Sequence, residues 1–303
     1  MKQTIFLFFT AIVLFASEPI RPIPASIPYD RAKAALGKAL FFDATLSKDG
    51  KVSCATCHKM EHGGADDKPV SIGVFGKKGR MNSPTVFNAV FNFRQFWNGR
   101  AKDLIEQIDG PVHNPVEMGL TTQELLDKLT KNAYYRGAFA KIYGKGGITY
   151  AHFKEAIAEF EKTLITPGSK FDRFLQGKAK LTPLEEKGYE LFKALGCVTC
   201  HNGVNLGGNS FQKIGTIIPY AGNELDDRYA ITHNPEDRYV YKVPTLRNIT
   251  LTAPYFHDGS VPTLKEAIKK MAYYNLGTIL KPETIDAIAA FLQTLTAKVA
   301  NHE

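Results

Sequence analysis

The sequence predicts a mostly α-helical protein, built as two tandem domains with long ordered loops. Three observations predict it. Apolar residues recur at helical spacing in several separate segments. All four cysteines fall in two copies of one short motif, Cys54-Ala55-Thr56-Cys57-His58 and Cys197-Val198-Thr199-Cys200-His201, which begin 143 residues apart. The length, 303 residues, suits one large or two ordinary domains.

The elements follow in chain order. Lys2 precedes an apolar run, Ile5 to Ala16, broken only by Thr10. A run of about a dozen residues is too short for the roughly 20 that span a bilayer, so residues 1–16 read as a secretory signal. The rival reading is an uncleaved N-terminal anchor; either way the body of the chain is expected to be exported, with no stable membrane span after cleavage. Asp30 caps a helix carrying Ala34, Leu36, Ala39 and Leu40 toward the first motif. Phe153, Ile157, Phe160 and Leu164 mark a helix with one buried stripe. Pro167-Gly168 breaks the pattern and divides the chain into domains 17–166 and 167–303. Thr182-Pro183-Leu184-Glu185 is a capping box with proline at the first helical position, and it opens a helix leading into the second motif. Thr263 with Glu266 caps another helix, and Ile285, Ile288, Leu292 and Leu295 mark the last. The stretches 59–100 and 202–260 are long loops, expected to be ordered.

Composition excludes several classes. Apolar residues make up 44% and charged residues 22%, which is ordinary for a globular chain and rules out disorder and multiple membrane spans. The net charge of +8 is not gathered into a Lys/Arg run, so it reads as a solvated surface and not as a nucleic-acid site.

The paired motif carries the chemistry. C-x-x-C-H places two thiols one helical turn apart, where they add to the two vinyl groups of one haem. The adjacent histidine then lies under the iron. A thioredoxin-like pair would not explain two copies each followed by histidine. A zinc site would want its cysteine pairs closer together, and plain disulfides leave both histidines idle. The reading is two covalent c-type haems, one on Cys54, Cys57 and His58, the other on Cys197, Cys200 and His201. Each haem needs a helical shell, so each domain is expected to be cytochrome c-like, with the long loops packed around the haem edges.

The far side of each iron decides between carrying electrons and binding small molecules. Met271, on the helix capped by Thr263, is the only methionine after Met118 and is the expected sixth ligand of the second haem. For the first haem, His62, Met81, His113, Met118 and an open iron all remain.

Further segments carry a resemblance. Asn82-Ser83-Pro84-Thr85-Val86-Phe87-Asn88-Ala89, Gln95-Phe96-Trp97-Asn98-Gly99-Arg100, Gly110-Pro111-Val112 with Val116-Glu117-Met118, and Pro254-Tyr255-Phe256-His257-Asp258-Gly259 resemble the bacterial dihaem cytochrome c peroxidases, over about residues 28–298. The resemblance implies a periplasmic enzyme that reduces hydrogen peroxide with electrons from a small cytochrome c or copper protein, and it allows a homodimer. It implies a low-potential peroxidatic haem on His58 and a high-potential haem on His201 and Met271. Glu117 matches the distal acid, Gln107 a polar neighbour in its pocket, and Trp97 the residue between the haems. Asn82, Thr252 and Pro254 match positions holding a calcium ion between the domains. His257 matches a histidine near the interface, and Arg247 lies in a stretch associated with haem packing. One departure stands out: where many members have Ser-Ile-Gly-His, with the histidine on the resting peroxidatic iron, this chain has Ser71-Ile72-Gly73-Val74. Valine cannot ligate, so the resting first iron is expected to be at least partly open. The rival readings are an electron-transfer dihaem cytochrome and a dihaem oxygenase or cofactor-maturing oxidase.

Overall fold

The computed structural model describes residues 18–145, 147–222 and 226–299. The expected signal at 1–16 lies outside them. Among the described residues, no helix is long and apolar enough to cross a membrane.

Two helix pairs form the frame. Arg31–Phe42 packs on Tyr150–Lys162, and Pro183–Ala194 packs on Pro282–Gln293. Their starts are the expected ones. The Asp30 carboxylate accepts from the N–H groups of Ala32 and Lys33, and Thr182 and Glu185 cap each other. Each pair crosses at a glycine. A Cβ on Gly37 would lie 1.8 Å from the Ala156 carbonyl oxygen, and one on Gly188 would lie 1.9 Å from that of Ala287. Only glycine lets the backbones approach this closely. The first pair anchors a core that includes Phe41, Leu125, Phe139, Phe153 and Ile157, and the second a core that includes Phe171, Tyr189, Phe192 and Phe291. Leu164 and Leu295 are buried as expected but lie just beyond the ends of their helices.

The chain ends cross this division. Ile20 belongs to the second core, bridging to Gly203, and Ile23 N–H donates to Asp172. Val299 packs on the first core.

A second internal repeat joins the two halves at an interval of 160 residues. Asn88 and Asn248 both adopt left-handed backbone, at φ 60° and 59°, and Phe96 and Phe256 do so at 66° and 71°. Gln95 pairs with Ala101, and Tyr255 with Val261. Each turn is followed by a capped helix start, Asp103 before Leu104–Gln107 and Thr263 before Leu264–Leu276. The two long loops are therefore a repeated, hydrogen-bonded scaffold with few regular elements. The second also carries an antiparallel hairpin, Phe211–Lys213 with Val240–Lys242, which the sequence reading did not anticipate.

Candidate functional site

Each C-x-x-C-H motif opens into its own cavity. Cys54–Cys57 is one helical turn on the wall of a cavity of about 420 Å³ that also holds His58. Cys197, Cys200 and His201 line a second cavity of about 270 Å³. None of the four cysteines is in a disulfide. The two histidines are held alike. His58 Nδ1 lies 3.1 Å from the Gly64 carbonyl oxygen, and His201 Nδ1 lies 3.2 Å from that of Leu206. The Pro84 and Pro244 backbones, equivalent in the 160-residue repeat, reach the same two rings. Burial lowers both imidazole pKa values, that of His201 to about 4, so both rings are neutral at physiological pH. A neutral imidazole whose Nδ1 proton is given to a carbonyl presents Nε2 as a metal ligand. Paired thiols and a fixed, neutral histidine on a cavity wall fit a covalent haem in both places.

The cavities share a wall. Asn82, Ser83, Pro84 and Trp97 line both. Trp97 Nε1 donates to the Asn82 carbonyl at 2.8 Å. Trp97 and its repeat partner His257 meet edge to face, centroids 6.3 Å apart, and His257 stacks on Tyr241 at 4.4 Å. Their backbones are cross-linked in the same sense: Lys242 N–H donates to Trp97 O and Asn82 N–H to His257 O, both at 2.7 Å.

Glu117 and Gln107 line the first cavity. Glu117 sits on a turn after the short helix Asp109–His113. Its N–H donates to Asn114 O, and Asn114 Nδ2 donates back to Glu117 Oε1 at 2.6 Å. Burial raises the Glu117 pKa, opposed by the Asn114 hydrogen bond and by the charge of Arg100. The loop after the first motif clamps this turn. Val74 N–H donates to Glu117 O at 2.9 Å, and a Cβ on Gly73 would lie 2.1 Å from the Val116 carbonyl oxygen.

Several expected residues are placed elsewhere. His62 is on the surface beside Asp67 and does not line the cavity. His113 also stands outside it, with Nδ1 2.8 Å from the Leu120 carbonyl oxygen and its ring against Tyr150. Met81 and Met118 do line it. Val74 is buried in the first core next to Gly119, so the departure from Ser-Ile-Gly-His falls on a residue that is not part of the cavity wall. Arg247 lines neither cavity. It makes a fully buried ion pair with Asp172 at 2.7 Å and donates to the Val204 and Arg21 carbonyls, which ties the N-terminal segment to the second core. In the second cavity Met271 and His257 are on the wall, as are Asn82, Thr252 and Pro254.

Sequence reasoning overlooked three residues. Glu161, on the helix Tyr150–Lys162, lines the first cavity with Oε2 buried and unpartnered, and burial pushes its pKa up to about 8. Lys242 is a buried cation on the wall of the second cavity. Pro111, in the first cavity, stands 160 residues before Met271. The repeat was an available signal for Pro111, whereas the burial of Glu161 and Lys242 is read only from the packing.

The comparisons agree with this geometry. The model of the di-haem cytochrome c peroxidase family matches residues 31–180, and a RoxA-like, cytochrome c-like model matches residues 240–272. Cytochrome c551 peroxidase of Nitrosomonas europaea is 48% identical over 96% of this chain and 87% of its own length. The chain belongs to the di-haem cytochrome c peroxidase family. Cytochrome c551 peroxidase of Pseudomonas aeruginosa is 43% identical over 93% of this chain and 86% of its own. A MauG-like protein associated with microbial copper homeostasis has the same architecture, with a TM-score of 0.81 and 29% identity over 96% of both chains. With the family come the cytochrome c-like haem fold and two c-type haems.

Proposed function

We propose that the two cavities divide one reaction: the His58 cavity takes hydrogen peroxide, and the His201 cavity receives and stores the electron. The overall activity is that of the family, reduction of hydrogen peroxide by two electrons and two protons to two waters. The observation that carries the division of labour is the polar equipment of the first cavity. It holds an acid and an amide, Glu117 and Gln107, while the second presents Met271.

Cys54, Cys57 and His58 would hold the first haem, and Cys197, Cys200, His201 and Met271 the second. When bound, the haems would supply both electrons, one from the iron that takes peroxide and one from the iron that stores an electron, and the donor protein would replace them. The chain's own residues do the rest. Glu117 takes a proton from one peroxide oxygen and returns it to the other, so that the second oxygen leaves as water. Asn114 occupies Oε1, which makes Oε2 the atom that carries this proton. Gln107 offers an amide to orient the peroxide. Trp97 lies between the cavities, with its indole fixed by the Asn82 carbonyl, and is the residue through which an electron would pass.

The calcium reading rests on Asn82. Its Nδ2 donates to the Lys68 and Pro69 carbonyls, which leaves Oδ1 for a hard cation. The carbonyls of Thr252 and Pro254 on the same wall would complete the set. Among the described residues no His, Cys or carboxylate cluster competes for a metal. Export to the periplasm through the 1–16 signal, and a small cytochrome or copper protein as donor, complete the proposal.

Stopped-flow mixing of the oxidised, two-haem protein with peroxide tests it. A high-spin first haem that reacts at once, and turnover with a reduced small cytochrome, are expected. Two bound haems with no peroxide turnover would instead support the electron-transfer reading.

A further inference from the structure

Lys242 is held firmly and, among the described residues, left without an anion. It ends the strand Val240–Lys242, where it pairs with Phe211, and its N–H donates to Trp97 O. The residue is 5% exposed and lines the second cavity. Among the described residues no carboxylate forms an ion pair with it. Burial pushes the pKa of its ammonium down to about 8. A buried ammonium with no partner is unfavourable, and proteins resolve this by pairing it. The repeat sharpens the point. The equivalent residue, Asn82, spends its amide on the Lys68 and Pro69 carbonyls and so has a local use, whereas Lys242 has none.

The cavity is otherwise walled largely by apolar groups, among them Phe192, Leu246, Ile268 and Leu292. Its cysteines and His201 suit a c-type haem, whose anionic groups are its two propionates. We propose that Lys242 is the anchor for a propionate carboxylate of the second haem, holding it against the wall that carries Trp97. The inference rests on the reading of this cavity as a haem cavity. Lys242 thereby orients the haem about the His201 axis and keeps one positive charge close to the iron that stores the electron. It is a binding and positioning residue, since the attachment itself needs only the two cysteines. A free anion such as chloride could satisfy the same ammonium, and the test separates the two.

The test uses the holoprotein with Lys242→Met and Lys242→Arg. Haem is counted first. A wild-type protein with fewer than two haems defeats the cavity reading itself. With two haems in every variant, the midpoint potential of the second haem and its propionate bending band in the resonance Raman spectrum are read. Lys242→Met is expected to lower the potential, because a neutral side chain no longer opposes the charge of the oxidised iron, and to shift the band. Lys242→Arg is expected to keep both near wild type. If Lys242→Met does not mature, Lys242→Gln gives the same comparison. An unmoved band overturns the proposal, whether or not the potential changes. So does a wild-type potential that follows added chloride, which would make the partner a free anion.

Discussion

In the second half, the helix Leu264–Leu276 runs unbroken along its cavity and carries Met271 to it. In the first half, the equivalent stretch is two short helices, Leu104–Gln107 and Asp109–His113, and Pro111 holds the place of Met271. Proline has no N–H for a continuous helix and no side chain that ligates iron. On the proposed reading, the same frame would give one haem a sixth ligand and leave the other side for substrate. A second exchange points the same way: Glu161 stands on the helix crossing where the second half has Leu292, and both residues line their cavities. The difference teaches that one repeated scaffold can present a thioether in one cavity and carboxyl groups in the other.

The largest expected effect tests the acid that only the first half has. Glu117→Gln keeps the hydrogen bond from Asn114 within reach but cannot carry a proton. Peroxide turnover should fall by roughly 10²–10⁴-fold while both haems and the second potential stay near wild type. Near-normal turnover would make Glu117 a structural residue and erase that contrast between the halves.

Arg247 gives the next contrast. Its repeat partner is Phe87, an apolar member of the first core, whereas Arg247 is paired with Asp172 at full burial. Arg247→Met leaves Asp172 buried and unpaired, which should cost about 3–5 kcal/mol in denaturant unfolding. The haems should remain attached, because Arg247 does not reach the cavity. Loss of the second haem with unchanged stability would return Arg247 to the haem-packing role read from the sequence.

Much of this was legible beforehand. The caps at Asp30, Thr182 and Thr263 are local chemistry, and the two C-x-x-C-H motifs identify their haems without any tertiary knowledge. The 160-residue repeat was also in the sequence, as Pro84-Thr85 and Pro244-Thr245, Asn88 and Asn248, and Phe96 to Gly99 and Phe256 to Gly259. It was masked because the haem motifs repeat at 143, the second half having extra chain that includes the hairpin. Glu161 and Lys242 were not legible as functional residues, since a charged side chain in an apolar pattern normally turns to solvent. Only the packing shows that these two do not. The placement of Val74 in the core could not be read either, because it depends on how the 71–79 loop closes on Glu117.

Glu161 makes the contrast depend on pH. Folded, its carboxyl keeps its proton up to about pH 8, while in the unfolded chain it ionises near pH 4.5. The folded state therefore binds the extra proton between those values, so the contribution of Glu161 to stability is largest below pH 4.5 and is lost as pH rises toward 8. Glu161→Leu, which copies Leu292, should remove that decline. The gain at pH 8 relative to pH 5 should be on the order of 3 kcal/mol, at about 1.4 kcal/mol per unit of displaced pKa. Parallel unfolding curves for wild type and variant across this range would mean that Glu161 is paired in the holoprotein.

The smallest expected effect is the most specific test of the repeat. If Pro111 is the counterpart of Met271, then Pro111→Met places a thioether where the second half has its ligand, and it also restores the N–H that a continuous helix needs. Iron bound by that thioether cannot take peroxide until the ligand leaves, so the apparent dissociation constant rises by the inverse of the open fraction. If the methionine is bound nine-tenths of the time, peroxide affinity falls about tenfold while the limiting rate at saturation is little changed. The oxidised spectrum should lose its high-spin component, and reduction of the first haem should become easier, as His/Met ligation raises the potential. A first haem that stays high-spin in this variant would show that the short helices aim position 111 away from the iron. The resemblance between the halves would then be one of backbone alone.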